Sequence, residues 1–214
     1  SFDRGRTLAR VEAVLMTAGR QVALIASIIL CASIIIGVLG MTGLGVKITS
    51  LILSGSGGQL WPALLLTAFA CLVLGMEVPT TAAYVISISV AGPALMELGL
   101  APLQAHLFVF WFALLSTITP PVCGAVFIAA GMVEENWLKV ALSAMALGLG
   151  LYFIPLGMIA NPNLIALGTS PFLALFAAAK VLVALAALSF AVIAPRFILW
   201  RLAAFAVGLV VLFI

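Results

Sequence analysis

Charge is what this chain of 214 residues most lacks. Only 7% of its residues are charged, while 66% are apolar. A soluble domain of this length carries about 50 charged side chains at the usual quarter share. Here nine residues are basic and six acidic, with a net charge of +3. That excludes a mostly wet surface, and with it a soluble globular domain or a disordered chain. The excess is too small and too scattered for nucleic acid. Cysteine is also sparse: Cys31, Cys71 and Cys123 sit far apart inside apolar stretches. They form no CxxC or metal spacing and no disulfide framework, so they read as small buried hydrophobes. There is one histidine, no HExxH motif, no paired catalytic carboxylates and no phosphate-binding P-loop. Neither an intramembrane enzyme nor an ATP-driven machine is expected, and no organic cofactor.

What is present is a series of long apolar runs. They predict an all-α, polytopic membrane protein. Residues 1–21 read as a basic amphipathic helix lying at the membrane interface, with Leu8, Val11, Leu15 and Ala18 on one face and Arg4, Arg6, Arg10 and Arg20 near it. Residues 22–214 read as a transmembrane permease domain. Its first span, residues 21–46, carries no charge and ends at Lys47, and about 20 residues suffice to cross. The Gly- and Ser-rich stretch 48–60 reads as a loop. Ser1 at the start and an apolar run at the end suggest a piece of something longer.

Residues 61–96 are more informative. The run from Trp61 to Gly75 is too short to cross at 1.5 Å per residue. Gly75-Met76-Glu77-Val78-Pro79-Thr80-Thr81 then interrupts it, and Glu77 is the only charge between Lys47 and Glu97. Two short helices around a polar break suggest a re-entrant hairpin. Irregular backbone at membrane depth is tolerated only inside protein or against a water-filled cavity. Residues 103–131 repeat the theme, with Ser116-Thr117-Ile118-Thr119-Pro120-Pro121 in the middle. The proline pair removes two backbone donors and restricts the residue before each ring, so this reads as one span with an unwound centre. Residues 138–160, 171–194 and 197–214 read as further spans, the first preceded by an interfacial loop around Glu134, Glu135 and Trp137.

Basic residues orient the chain. With a cytoplasmic N-terminus and a re-entrant hairpin, Arg4, Arg6, Arg10, Arg20, Lys139, Arg196 and Arg201 all fall inside. Lys47 alone falls outside, and Lys180 lies within a span. Seven against one fits the positive-inside rule. A single crossing by residues 61–96 would put Lys139, Arg196 and Arg201 outside. The two breaks also carry chemistry. Half-helix N-termini attract anions, and freed carbonyls coordinate cations. Thr80, Thr81, Ser116, Thr117 and Thr119 add hydroxyl oxygens, which suit a hard cation.

Three motifs together, GMEVPTTAAYVI (75–86), APLQAHLFVFWFALLSTITPPV (101–122) and NPNLI (161–165), carry a family resemblance. The sequence resembles the large membrane subunit of tripartite ATP-independent periplasmic (TRAP) transporters, in the fused form that works with TAXI-type binding proteins. The resemblance runs over most of residues 22–200 and suggests the C-terminal portion of such a permease, with one of two inverted repeats. It implies an elevator-type secondary transporter in the bacterial inner membrane, taking up an organic anion, often a carboxylate, with Na+ or H+ as coupling ion. It implies three protein partners: a periplasmic solute-binding protein, the remaining permease repeat and a small membrane subunit, on the same or separate chains. Membrane lipid surrounds them. The implied site lies between the hairpin tip (Gly75, Met76, Glu77, Val78, Pro79, Thr80, Thr81) and the helix break (Ser116, Thr117, Thr119, Pro120, Pro121), with sodium a candidate at Thr80, Thr81, Thr117 and Thr119. Glu77 departs from the family pattern, where glycine is usual.

Several residues admit a plainer reading. Glu77 is either an ion-linked carboxylate or a hairpin-tip group in a wet vestibule. His106 reads as a structural histidine rather than a proton relay. Lys180 reads as snorkelling outward, against a sharper reading as partner of Glu77. The row Phe108, Phe110, Trp111 and Phe112 reads as packing. The competing function is a structural or assembly subunit of a membrane complex with no transport site of its own.

Overall fold

The computed structural model describes residues 4–76, 78–121, 123–193 and 198–213. Glu77 and the turn at Pro195 and Arg196 lie outside the described residues. Among those described, the elements are ten α-helices and one short 3-10 helix, with no strand.

The first helix, α1 (Arg4–Thr42), is 39 residues long and unbroken. From Arg4 on, the basic amphipathic segment and the apolar one belong to this single helix. At 1.5 Å per residue it is about 58 Å long, well beyond a hydrocarbon core of about 30 Å. The chain then turns at Gly43, whose φ of +66° is a left-handed conformation that glycine adopts without a Cβ clash.

The second helix, α2 (Leu44–Gly55), corrects the loop expected over 48–60. Its serines do not break it. The hydroxyl of Ser54 bonds back to the Leu51 carbonyl, and that of Ser56 to Leu53 at the helix end. Ile52 is buried against Ala63, Ala91 and Ala94, so tertiary packing outweighs the weak local propensity. Only Ser56–Gln59 turns, with Gly57 and Gly58 at positive φ.

Helices α3 (Leu60–Leu74) and α4 (Thr80–Glu97) form an antiparallel hairpin. Ala63 near its base packs with Ala91 and Ala94 from the far end of α4. Helix α5 (Pro102–Leu115) opens with proline in its first turn, where no N–H is needed, and the Ala101 N–H donates to Gln104 Oε1 at 3.2 Å. It climbs beside the hairpin, so that Leu64, Ala68, Cys71, Leu95, Phe108 and Phe112 share one core with Ile159. Helix α6 (Gly124–Val133) follows the break.

The segment expected as a single span over 138–160 is two helices, α7 (Trp137–Leu147) and α8 (Leu149–Ala160), bent by 42° at Gly148. Together they are long and apolar enough to cross a membrane. Asn136 caps α7, its side chain accepting from the Leu138 N–H at 2.9 Å. A 3-10 turn (Pro162–Ile165) leads to α9 (Pro171–Ile193) and α10 (Ile198–Phe213). Among the described residues, α1 and α9 alone are each long and apolar enough to cross by themselves. The chain is an all-α, multi-pass membrane protein.

Candidate functional site

The hairpin tip and the helix break meet. Ser116 ends α5 at the level of the tip, and its hydroxyl donates both to the Ala113 carbonyl (2.7 Å) and to the Gly75 carbonyl (3.1 Å). The side chain is fully buried. A Cβ at position 75 would stand 2.7 Å from the Ser116 Cβ and closer still to its Oγ. Only glycine permits this approach. Ser116 is therefore a strut between the two breaks, with its proton already committed.

The other hydroxyls differ in what they have left to offer. Thr117 Oγ1 donates to the Leu114 carbonyl at 2.8 Å. Thr119 Oγ1 donates to the Leu115 carbonyl at 2.7 Å and lies 2.6 Å from the Tyr152 hydroxyl. Thr80 is half-buried and Thr81 exposed. They open the first turn of α4, and neither hydroxyl has a partner among the described residues. After α5 the N–H groups of Thr117 and Ile118 fold into tight turns onto the Leu114 and Leu115 carbonyls. The carbonyls of residues 117–121 accept no main-chain hydrogen bond among the described residues. Pro120 and Pro121 supply no N–H to the carbonyls one turn before them, at Ser116 and Thr117.

Chemically, the junction offers hydroxyl and carbonyl oxygens of the kind that bind hard cations. Five residues after Gly75, the N-terminus of α4 presents N–H groups with no main-chain partner among the described residues and the positive end of a helix dipole. Met76 and Val78 complete the tip in a loose turn, with weak hydrogen bonds of 3.4 Å to Val73 and from Val78 to Gly75. Val78 and Pro79 face the other way, into a cleft of about 280 Å³ against Cys31 and Ile35 of α1. That wall is apolar and does not suit a carboxylate.

This chain is matched over residues 1–173 by the family model of the tripartite ATP-independent periplasmic transporter, DctM component. The chain belongs to the DctM family. The match spans both breaks and ends at the start of α9. No curated protein matches the chain, and no solved structure does. As a DctM component, the chain is a membrane permease of a solute-transport system.

Two side chains at this DctM junction escape a reading of the sequence. Tyr152 reaches Thr119 from α8. Trp111, expected only to pack, donates its indole N–H to the Leu151 carbonyl at 2.9 Å. Pro155 lies four residues after Leu151 and cannot satisfy that carbonyl, so Trp111 does so from α5. The proline four residues downstream was the legible signal. Phe108 and Phe112 do pack, with ring centroids 4.9 Å apart. His106 Nδ1 lies 2.7 Å from the Tyr84 hydroxyl. Lys180 donates to Asn161 Oδ1 at 3.1 Å and is half-buried.

Proposed function

We propose that the chain is the permease part of a binding-protein-dependent secondary transporter that imports a small organic anion, foremost a carboxylate. A sodium or proton gradient drives it. The observation that carries this reading is the meeting of two chain breaks through the Ser116–Gly75 hydrogen bond, with hydroxyls at Thr80 and Thr81 and carbonyls at 117–121 that have no partner among the described residues. Two polar breaks in an apolar protein favour a site over a purely structural role. The positive end of α4 suits a carboxylate, and the oxygens of Thr80, Thr81, Thr117 and Thr119 suit sodium. The hairpin is then re-entrant from the periplasm, and the N-terminus is cytoplasmic in a bacterial inner membrane. A periplasmic binding protein, the other permease repeat and a small membrane subunit complete the system. No enzymatic step is involved.

The test is uptake by the full-length permease with its membrane subunit and binding protein in proteoliposomes. Labelled carboxylates are offered with sodium present or replaced by choline, and with or without a pH gradient. Uptake should need the binding protein and collapse with the driving gradient. Uptake indifferent to both would sink the proposal. Gln59→Cys and Glu97→Cys, at the hairpin base, should both react with an impermeant maleimide from the periplasmic side. Opposite-side labelling would remove the re-entrant reading.

A further inference from the structure

We infer that Tyr152 is a positioning residue of the cation site, acting through Thr119. This rests on the function proposed above and adds a third wall, α8, to the meeting of hairpin and break. A threonine hydroxyl has one proton and two lone pairs. The proton of Thr119 goes to the Leu115 carbonyl at 2.7 Å. The bond of 2.6 Å to Tyr152 is therefore donated by the phenol. Thr119 Oγ1 is left with one uncommitted lone pair, fixed in direction by two hydrogen bonds. Thr117 makes the same bond to its own helix but has no second partner among the described residues, so its free lone pairs have no fixed direction.

Tyr152 is itself held. Its neighbour Leu151 receives the Trp111 indole N–H, and its ring packs at the edge of the core shared by α3, α4 and α5. Ile118, between the two threonines, faces the bend at Gly148: a Cβ there would lie 3.6 Å from Ile118 Cδ1. The break is thus braced by α7 and α8 on one side and by Gly75 on the other. A cation bound by Thr119 meets an oxygen already aimed, which lowers the ordering cost of binding.

Tyr152→Phe keeps the ring and removes only the donor. In proteoliposomes, uptake is titrated with sodium at constant ionic strength made up with choline. The half-saturating sodium concentration should rise about fivefold, with maximal rate retained, as expected for one lost hydrogen bond. Thr119→Val combined with Tyr152→Phe should be no worse than Thr119→Val alone, because the tyrosine acts through that oxygen. A sodium dependence of Tyr152→Phe equal to wild type overturns the inference. So does a lower maximal rate at unchanged half-saturation, or additive losses in the double variant. If wild-type uptake itself ignores sodium, the sodium site fails and the inference falls with it. If the wild type responds and Tyr152→Phe behaves like it, only the role of Tyr152 falls.

Discussion

The junction of hairpin and break and the bundle of α8, α9 and α10 both place polar groups inside apolar protein, and they treat them in opposite ways. In the bundle the demands are met. Asn161 donates to the Leu212 carbonyl at 2.7 Å and accepts from Lys180 at 3.1 Å. Arg201 reaches back to the Ala191 and Val192 carbonyls at 2.7 and 3.2 Å, at the end of α9, where a positive charge favours the helix dipole. At the junction, Thr80 and Thr81 have no partner, and the carbonyls of 117–121 take no main-chain bond, among the described residues. Polar groups without water are costly unless satisfied. Groups bonded between helices tie the bundle together, while the junction keeps its oxygens open. Thr67 Oγ1, buried in α3, also has no hydrogen-bond partner among the described residues, so an open hydroxyl points to a site only where it lies at a chain break.

The comparison breaks most sharply at Gly75. Gly75→Val drives a branched side chain into Ser116. Uptake in proteoliposomes should fall to background while the protein still inserts and purifies. Wild-type uptake would mean that the tip and the break do not need this contact. On the bundle side, Asn161→Leu strips partners from Lys180 and the Leu212 carbonyl at once. A loss of about 2 kcal/mol is expected, since a deprived polar group loses its desolvation compensation. It is read as a lower midpoint of thermal unfolding in detergent. The half-saturating sodium concentration of the surviving protein should not change, and a change there would blur the division between the two regions.

Thr81→Val should do the reverse. Its hydroxyl makes no hydrogen bond among the described residues, so stability should move by less than about 0.5 kcal/mol. If that oxygen ligates the cation, half-saturating sodium should rise about fivefold, the size of one modest polar contact. Unchanged ion dependence takes Thr81 out of the site. Lys180→Met should have the smallest effect. Asn161 keeps its bond to Leu212, and removing a half-buried charge offsets the lost contact, leaving under about 1 kcal/mol. A loss as large as that of Asn161→Leu would make the ammonium, not the amide, the centre of the bundle.

The hairpin and the chain break after α5 were legible because Gly, Pro and a lone charge interrupt otherwise apolar runs. Breaks of that kind are local, and sequence reports local chemistry well. The extent of α2 was not legible, because Ser54, Gly55 and Ser56 resemble a linker until Ile52 finds its core. The bend at Gly148 was hidden within a run that is apolar on both sides. Lys180 is half-buried and bonded to Asn161 rather than reaching freely outward, since the NPN turn returns over α9. The contact of Tyr152 with Thr119 spans 33 residues. Apolar helices carry little pattern that says which neighbour each will touch, so such pairings emerge only from packing.

A proline within a membrane helix ordinarily makes a loose joint, because the carbonyl one turn earlier is left free to move. In α8 that slack has been taken up: the oxygen freed by Pro155 is fastened to Trp111 on a different helix. The axis turns elsewhere, by 42° at Gly148. The bend and the proline are thus at different places, and the bond that fastens α5 to α8 at Leu151 lies between them.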